Sequence, residues 1–396
     1  MNTILKELKY GAKNYKPLNI VLKKGKGIYL TDVNNKKYLD FLSGYSALNQ
    51  GHCHPRLINV LKNQSENLTL TSRAFYNDKL GSLCEYMCNT FNYTNFIPMN
   101  TGVEAGETAI KIARKWGYEN KNIEQNKAIN LFCYNNFWGR TISALSSSND
   151  TSCYNNFGPY TNGFELIEYN NLTILENKLK SNSNIVSFML EPIQGEAGVI
   201  LPSKNYLKKA YDICKKYNVL MIADEVQSGL GRSGKLLACD YDNIKPDILI
   251  LGKSMSGGIL PASGVLANKE IMDVLTPGTH GSTFGGNPLS CAVILEAIKI
   301  LFEEELISNS FNLGKYFRKE LKNLDLNKIK EVRGRGLFNA IEFKYEKDAS
   351  NALENLKNNG LLTNITKKKI LRLTPPLIIN KNQINEALEI IKNSIN

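Results

Sequence analysis

The sequence predicts an α/β fold: a large domain with a mainly parallel central sheet, and a small α+β domain built from both chain ends. Short apolar segments alternate with longer helical patterns through the middle of the chain. Such alternation is typical of a parallel sheet covered by helices on both faces. Near the ends the pattern changes to short alternating segments, as in 27–33. We expect an N-terminal segment over 1–56, a large domain over 57–304 and a small domain over 305–396.

The individual elements follow from the apolar periodicity. The strand candidates are 129–133, 185–190, 219–223, 247–251 and 263–267. The helix candidates are 104–117, 205–217, 288–304, 309–323 and segments near 350–359 and 384–394. An N-terminal hairpin and a glycine-punctuated strand over 331–343 complete the prediction. Ligands of parallel sheets bind beyond the carboxyl ends of the strands, so functional residues are expected there.

The overall composition is that of an ordinary globular protein. The 396 residues are 42% hydrophobic and 22% charged, and no apolar stretch of membrane-spanning length occurs. The first ten residues match neither a secretory signal nor a transit peptide, so we expect a cytoplasmic protein. The net charge of +12 comes from scattered lysines without interleaved stacking aromatics, which argues against a nucleic-acid partner.

Two patterns resemble binding motifs but lack the rest of their sites. The run Gly51–Pro55 contains His52, Cys53 and His54, yet no second ligand pair follows at zinc spacing. We expect a turn before a helix there, and reduced thiols for the eight dispersed cysteines. The run 229–234 fits G-x-G-x-x-G after a strand. A dinucleotide site needs a helix to follow at once, and the chain instead soon reaches Pro246.

The most informative residue is Lys253. It follows the apolar run 247–252 and opens what we expect to be a flexible loop over 254–258. Burial lowers the pKa of a lysine, and a partly neutral lysine can form a Schiff base with an aldehyde. Asp224 ends the apolar run 219–223, where a carboxylate could face a pyridinium nitrogen. Together these two strand ends indicate a pyridoxal phosphate site.

Two further segments suit that cofactor. Asn100–Ala109 contains a Thr-Gly turn that opens a helix, and free N–H groups at a helix start can cradle a phosphate. The alternative is an ordinary helix capped by Thr101 and Glu104. Asn136–Thr141 offers Phe137 to a ring face, although core packing explains that residue equally well. Strand alternation places Val226 on the same face as Asp224, where it could pack under the ring.

These segments together resemble the fold-type I, class III pyridoxal phosphate aminotransferases, and within that family the ornithine aminotransferases. The resemblance runs from Tyr10 to Leu377. Its main stretches are GYSALNQGHCHP (44–55), LTLTSRAFYN (68–77), PMNTGVEAGETA (98–109), RKWGYE (114–119), NFWGRT (136–141), EPIQGEAGV (191–199), ADEVQSGLGR (223–232), LGKSMSGG (251–258) and HGSTFGGNP (280–288).

The resemblance implies roles around the cofactor ring. Lys253 resembles the lysine that holds the aldehyde and later moves a proton. Asp224 resembles the partner of the pyridinium nitrogen, and Gln227 resembles the residue that contacts the ring hydroxyl. Phe137 would stack on the ring opposite Val226.

The resemblance also implies how the phosphate is held. Gly102 and Val103 would donate backbone N–H groups. Ser282 and Thr283 would reach the phosphate from the neighbouring subunit, so a homodimer with shared active sites is expected.

The substrate residues implied by the resemblance distinguish ornithine from related amines. Tyr15 and Arg140 resemble the pair that holds the α-carboxylate of ornithine, and Tyr45 resembles the residue that favours ornithine. Glu196 resembles a gate that masks Arg372 until glutamate binds. We therefore expect conversion of ornithine and 2-oxoglutarate to glutamate-5-semialdehyde and glutamate, by a ping-pong reaction through a lysine-bound aldimine.

Three alternatives remain open from the sequence. Acetylornithine or 4-aminobutyrate aminotransferases belong to the same class, and they differ at the position of Tyr45. A racemase or lyase on the same fold would need no 2-oxo acid. A basic binding protein would show no cofactor absorption band.

Overall fold

The computed structural model describes residues 3–324 and 327–395. In chain order the strands are β1 (Leu22–Lys26), β2 (Tyr29–Asp32), β3 (Lys37–Asp40), β4 (Asn95–Met99), β5 (Ile129–Cys133), β6 (Phe164–Ile167), β7 (Ile185–Leu190), β8 (Leu220–Asp224), β9 (Ile248–Leu251), β10 (Ser263–Ala267), β11 (Ile329–Arg335), β12 (Phe338–Phe343), β13 (Leu361–Leu362), β14 (Asn364–Thr366) and β15 (Ile370–Leu373).

The helices connect and cover these strands. They are α1 (Thr3–Tyr10), α2 (Ser43–Ser46), α3 (Pro55–Ser65), α4 (Leu80–Phe91), α5 (Gly102–Asn120), α6 (Ile142–Ser146), α7 (Thr151–Tyr154), α8 (Leu172–Ser181), α9 (Tyr206–Lys216), α10 (Lys269–Met272), α11 (Pro288–Glu303), α12 (Leu306–Asn323), α13 (Glu346–Asn358) and α14 (Lys381–Ile395). Short 3₁₀ turns occupy Ala238–Tyr241 and Lys253–Ser256.

The central sheet has seven strands in the order β4-β10-β9-β8-β7-β5-β6. Neighbouring strands from β9 to β6 are parallel, whereas β10 runs antiparallel to both β4 and β9. The predicted α/β fold with a mainly parallel central sheet is therefore confirmed. The carboxyl ends of β7, β8 and β9 lie side by side at one edge of this sheet.

The innermost strands are buried on both faces. Alternate residues of β9 pack into different apolar clusters: Ile248 and Ile250 join the cluster of α5, while Leu249 and Leu251 join the cluster of α11. Helices thus cover both faces, and this explains why these strands are continuous apolar runs rather than alternating ones.

The strands that the sequence did not predict are the two edges of the sheet. β4 contains Pro98 and pairs only with β10, and β6 pairs only with β5. Proline is tolerated on an edge strand because one side of that strand needs no ladder hydrogen bond. Edge strands also bury less apolar surface, so their sequence pattern is weaker.

The prediction of one strand over 331–343 was wrong. The segment forms two antiparallel strands, β11 and β12, and the chain reverses between them at Gly336. Gly336 has a φ of 54°, and an added Cβ would collide with the backbone of Arg232 and Ser233. Glycine is therefore required at this position, because the backbone of residues 232–234 passes too close for a side chain.

The two chain ends meet in one smaller sheet. Its order is β1-β2-β3-β13, and Leu361 pairs in parallel with Leu39. A further four-stranded sheet has the order β11-β12-β15-β14. This pairing suits a small domain built from both ends, and the proposed division at residues 56 and 304 stays a prediction.

The histidine-rich run lies in a turn before a helix. His52 contacts Asp40 at 2.7 Å, His54 contacts Glu304 at 3.2 Å, and α3 begins at Pro55. Within residues 3–324 and 327–395, no group of three potential ligand side chains is placed to hold a metal ion. None of the helices in those ranges is long and apolar enough to cross a membrane.

Candidate active site

Asp224 and Lys253 lie at the carboxyl ends of adjacent parallel strands. Asp224 is the last residue of β8 and pairs with Ile250 of β9, and Lys253 follows two residues after β9 ends. The expected flexible loop after Lys253 is instead a 3₁₀ turn, and Ser254, Met255 and Ser256 are buried in it. Lys253 enters that turn with a left-handed φ of 46°.

Burial shifts the pKa of both Asp224 and Lys253 toward their uncharged forms. Asp224 is 6% exposed, and its carboxylate accepts a 3.0 Å hydrogen bond from the Val226 N–H. Burial raises the pKa of Asp224 to about 6, although that hydrogen bond and the charge of Lys253 oppose the shift. Burial also lowers the pKa of Lys253, which favours the neutral amine. A neutral amine can attack an aldehyde, whereas an ammonium group cannot.

Glu191 is a buried carboxylate beside Asp224 that sequence reasoning did not single out. It follows β7 directly, beside Asp224 at the end of β8, and it is 7% exposed. Its carboxylate accepts hydrogen bonds from the N–H groups of Phe137 at 2.9 Å and Gly195 at 3.0 Å. Burial raises the pKa of Glu191 to about 8, and the charge of Asp224 acts in the same direction. A sequence signal for Glu191 exists, because it directly follows a fully buried strand of mainly apolar residues.

The start of α5 offers free backbone donors. Thr101 and Glu104 form a capping box, which was the alternative interpretation of this segment. The N–H groups of Gly102 and Val103 nevertheless have no hydrogen-bond acceptor among the described residues. The capping box therefore leaves these two N–H groups free, and their role in binding a phosphate stays a prediction. Val226 is the neighbour of this helix start, since a Cβ on Gly102 would lie 3.1 Å from Val226 Cγ1.

The loop 280–286 lies beside the same helix. Ser282 Oγ accepts hydrogen bonds from Asn100 Nδ2 at 3.0 Å and from the Gly285 N–H at 2.9 Å. His280 contacts Thr108 Oγ1 and Lys111 Nζ, each at 2.9 Å. Thr283 is exposed. The loop is thus anchored to α5 of its own chain, and whether it also serves a neighbouring subunit stays a prediction.

Glu196 and Arg372 form an ion pair of 2.5 Å, and Arg372 is only 2% exposed. Burial by itself would raise the pKa of Glu196, but the attraction of Arg372 outweighs it and holds that pKa below its usual range. The Arg372 guanidinium lies 5.4 Å from the ring centroid of Tyr45. Gln227 Nε2 donates to the Tyr45 carbonyl at 3.4 Å, so these four residues form one group.

Tyr45 reaches this group through an unusual backbone turn. All four residues of α2 have positive φ, and Tyr45 itself has a φ of 60°. Ser43 Oγ donates to the Thr374 carbonyl at 2.7 Å, which joins the turn to the segment that follows Arg372. Side chains with a Cβ rarely adopt this conformation, and such strain concentrates at functional sites.

A cavity of about 570 Å³ opens beside this group and is lined by Phe137, Arg140 and Glu196 among others. The Arg140 guanidinium lies 5.5 Å from the centroid of the Phe137 ring. Tyr15 does not join the other predicted residues. It is 74% exposed and forms no hydrogen bond, ion pair or ring contact among the residues that the structure describes.

This donor set fits a phosphorylated pyridoxal. It combines a buried amine, a buried carboxylate without an ion-pair partner among the described residues, and unpaired N–H groups at a helix start. Residues 10–395 match the model of the aminotransferase class-III family. The chain belongs to this family. It is therefore an aminotransferase by family.

Relatives of this aminotransferase are similar over nearly its whole length. The mitochondrial ornithine aminotransferase of Drosophila melanogaster is 54% identical over 98% of this chain and 90% of its own. The ornithine aminotransferase of Plasmodium yoelii yoelii is 52% identical over 98% and 94%. The crystal structure of the Toxoplasma gondii ME49 ornithine aminotransferase superposes with a TM-score of 0.97 at 49% identity, covering 99% of this chain and 94% of that one.

The expected cytoplasmic location was wrong by this comparison. The ornithine aminotransferases of Drosophila melanogaster and Rattus norvegicus, and the probable one of Caenorhabditis elegans, are named mitochondrial. The Plasmodium relatives carry no such designation. The expectation rested only on the composition of the first residues, which identifies no compartment by itself.

Proposed function

We propose that this aminotransferase is an L-ornithine:2-oxoacid δ-aminotransferase. It converts ornithine and 2-oxoglutarate to glutamate-5-semialdehyde and glutamate, with pyridoxal phosphate as its cofactor. The Glu196–Arg372 ion pair beside Tyr45 carries this proposal. Ornithine has two amino groups, and an arginine masked by a carboxylate can determine which of them reaches Lys253. The relatives named ornithine aminotransferase, at 50–54% identity, support the same substrate.

The cofactor would be held by residues from three elements. The Gly102 and Val103 N–H groups receive the phosphate at the start of α5, where the helix dipole also favours an anion. Asp224 would hold the ring nitrogen in its protonated form, because a buried carboxylate needs a cationic partner. Lys253 would hold the aldehyde through its Nζ. When bound, the cofactor accepts the amino group and its ring takes up electrons from the reacting carbon.

Lys253 also moves the proton in each half-reaction. Its amine takes a proton from the carbon that bears the reacting amino group and delivers it to the carbon that receives that group. Such a base works best when its pKa lies near the ambient pH, and burial shifts Lys253 in that direction. Glu191 holds the Phe137 backbone beside this chemistry through its 2.9 Å hydrogen bond.

The charged residues of the cavity determine which amino group of ornithine reacts. Arg140 at the cavity wall would bind the α-carboxylate and leave the δ-amine near Lys253. Tyr15 is kept as its partner in this role by the resemblance alone, since it is exposed in the single chain. An exposed Arg372 would compete for that carboxylate and place the α-amine there instead. Glu196 prevents this competition by occupying the guanidinium. When Glu196 moves away, Arg372 can bind the α-carboxylate of glutamate in the second half-reaction.

A shared-site homodimer completes the proposal. Several large apolar residues near the loop 280–286 are exposed in the single chain, namely Leu68, Leu70, Phe75, Tyr76 and Phe284. The segments lie together, since Asn77 Nδ2 donates to the Gly286 carbonyl at 3.4 Å. Large apolar residues that are exposed in one region of a protein favour an interaction site there. A second copy of the chain would cover this surface and bring Ser282 and Thr283 to the partner's phosphate.

One assay separates this proposal from its nearest alternative. An acetylornithine aminotransferase from Elizabethkingia anophelis superposes with a TM-score of 0.91 at 46% identity, over 99% of this chain and 97% of that one, so N-acetylornithine is the competing substrate. The purified holoenzyme is incubated with 2-oxoglutarate and either ornithine or N-acetylornithine, and the semialdehyde is trapped. We expect a much higher kcat/KM for ornithine. A preference for N-acetylornithine would establish the alternative.

A further inference from the structure

The turn between β14 and β15 consists of three lysines, Lys367–Lys369. Lys367 and Lys368 have left-handed φ values of 46° and 63°. Glycine and asparagine adopt such values most easily, and they are the usual residues of tight hairpin turns. Two consecutive lysines therefore occupy positions that the backbone alone would not select.

The turn lies at the cavity that holds the substrate residues. Lys367 and Lys368 line this cavity together with Arg140 and Glu196. Lys367 Nζ contacts Asp150 Oδ2 at 3.2 Å, which joins the turn to the start of α7 on another part of the cavity wall. Thr366, directly before the turn, donates its hydroxyl hydrogen to the Glu196 carbonyl. The turn is thus connected both to the Glu196 segment and to the opposite wall.

The charges along this cavity do not cancel. Its anionic side chains are Asp150 and Glu196, and each already has a cationic partner, Lys367 and Arg372 respectively. Lys368 has only a distant partner, Glu346 at 3.7 Å, and both side chains are largely exposed. Such exposed pairs contribute little. Arg140 and Lys368 therefore leave the cavity wall with excess positive charge.

We propose that the lysine turn Lys367–Lys368 is a specificity determinant that attracts the dicarboxylate co-substrate to the cavity. The inference rests on the proposed function, in which one substrate is a dianion and the other, ornithine, carries a net positive charge at neutral pH. Clefts lined by one sign of charge raise the local concentration of the opposite sign and increase its association rate. The same charges oppose ornithine weakly. The turn thus biases the shared cavity toward the 2-oxo acid half-reaction.

The test replaces the turn without breaking it. The variant Lys367→Asn/Lys368→Gly keeps a sequence that favours the left-handed turn and removes both charges. The matched control, Lys319→Gln/Lys322→Gln, removes two charges from exposed positions of α12 that do not line the cavity. The second-order rate constant of each half-reaction is measured for ornithine and for 2-oxoglutarate, at low and at high ionic strength.

We expect the 2-oxoglutarate constant of the turn variant to fall about threefold to tenfold at low ionic strength. The second-order rate constant for ornithine should stay the same or rise. For both substrates, the difference between the turn variant and the unsubstituted enzyme should shrink in about 0.5 M salt, where charges are screened. The control variant should leave the rate constants for both substrates unchanged at both ionic strengths. A change of the same size and direction for both substrates, or a change that persists in high salt, would overturn the proposal in favour of a merely structural turn.

A binding measurement separates this inference from the proposed function. Glutarate has the carbon chain and both carboxylates of the co-substrate but no oxo group, so it binds without reacting. Its Kd, measured by calorimetry with the holoenzyme, should rise in the turn variant and not in the control. An unchanged Kd rejects the inference. Failure of the unsubstituted enzyme to convert ornithine would instead reject the proposed function, and the glutarate result would still stand.

Discussion

Glu196 and Arg372 lie 176 residues apart in the chain, and their side chains meet in an ion pair of 2.5 Å. Arg372 is buried, whereas the Glu196 side chain is 29% exposed. The Glu196 carboxylate is thus the partner with open space to move into, and its movement frees the Arg372 guanidinium. This asymmetry suits a gate in which Glu196 swings away and Arg372 stays in place.

The first prediction tests this gate. Glu196→Ala should slow the ornithine half-reaction by about tenfold or more, which corresponds to about 1.4 kcal/mol, because the unmasked Arg372 can bind the α-carboxylate in the wrong orientation. The glutamate half-reaction, which needs Arg372 free, should hold or quicken. Stopped-flow spectra of both half-reactions give the two rates. Glu331→Ala is the control, since the exposed Glu331 also pairs with an arginine, Arg333, but does not line the cavity. Equal slowing of both half-reactions would show that Glu196 has only a structural role.

The second prediction concerns the covalent link. Borohydride reduction of the holoenzyme and peptide mapping should place the cofactor on Lys253, and label on another lysine would refute the assigned site. Lys253→Ala should lower kcat by at least about 10²-fold to 10⁴-fold, the usual contribution of a proton-transferring residue. Lys245→Ala provides a control, because that lysine lies near β9 but contacts Asn268 and the Tyr93 ring instead.

The third prediction uses the raised pKa of Asp224, which burial shifts to about 6 in the folded, cofactor-free protein. The native state then binds more protons than the unfolded state between about pH 4 and pH 6, so this group lowers stability as pH rises through that window. Asp224→Asn should therefore stabilise the cofactor-free protein above pH 6, by up to about 3 kcal/mol, and not near pH 4. Denaturant unfolding at several pH values measures the difference. A constant difference across the range would show that the carboxylate is not desolvated.

The fourth prediction tests the shared site by complementation. In a dimer of one Lys253→Ala and one Thr283→Ala subunit, one site has an intact lysine and receives an intact threonine from its partner. Co-expression should therefore give more activity than the two variants separately. Pairing Lys253→Ala with Asp224→Ala should restore nothing, because both residues belong to the same chain's site. No gain in the first mixture would show that Thr283 does not act across subunits.

The fifth prediction concerns Tyr45. Tyr45→Ile should shift the preference from ornithine toward ω-amino acids that lack an α-amine, because the phenol hydroxyl and the aromatic ring beside the Arg372 guanidinium are lost. The kcat/KM ratio for ornithine over 4-aminobutyrate should fall by about tenfold. Isoleucine is compatible in size but disfavours the positive φ of Tyr45, so thermal unfolding is recorded alongside. An unchanged ratio would remove Tyr45 from the specificity residues.

Local sequence patterns predicted most strands of the central sheet, and they predicted reactive residues at the carboxyl ends of those strands. The apolar runs of β7, β8 and β9 are visible because these strands are buried on both faces. Asp224 and Lys253 stand out for the same reason, since a charged residue directly after such a run must lie at a strand end. The edge strands β4 and β6 escaped prediction because they are only half covered and carry a mixed pattern.

The contacts between distant segments could come only from the tertiary structure, or from resemblance to a known family. No periodicity pairs Glu196 with Arg372, and it was the resemblance that suggested this pair. The hydrogen bonds of Glu191 to Phe137 and Gly195 were predicted by neither route. Burial fractions and the pKa shifts that follow from them also depend on the packing of all neighbours.

The sequence by itself thus determined the fold class, because strand burial leaves a local pattern, and its resemblance to known stretches determined the family. The strand ends predicted Asp224 and Lys253 as the reacting groups. Only the tertiary structure decided that the lysine turn Lys367–Lys368 lies at the substrate cavity, beside Asp150 and next to the Glu196 segment. These contacts join residues more than 150 positions apart. The chain brings such residues together only when the sheets and helices between them have packed, so no local pattern records the contact.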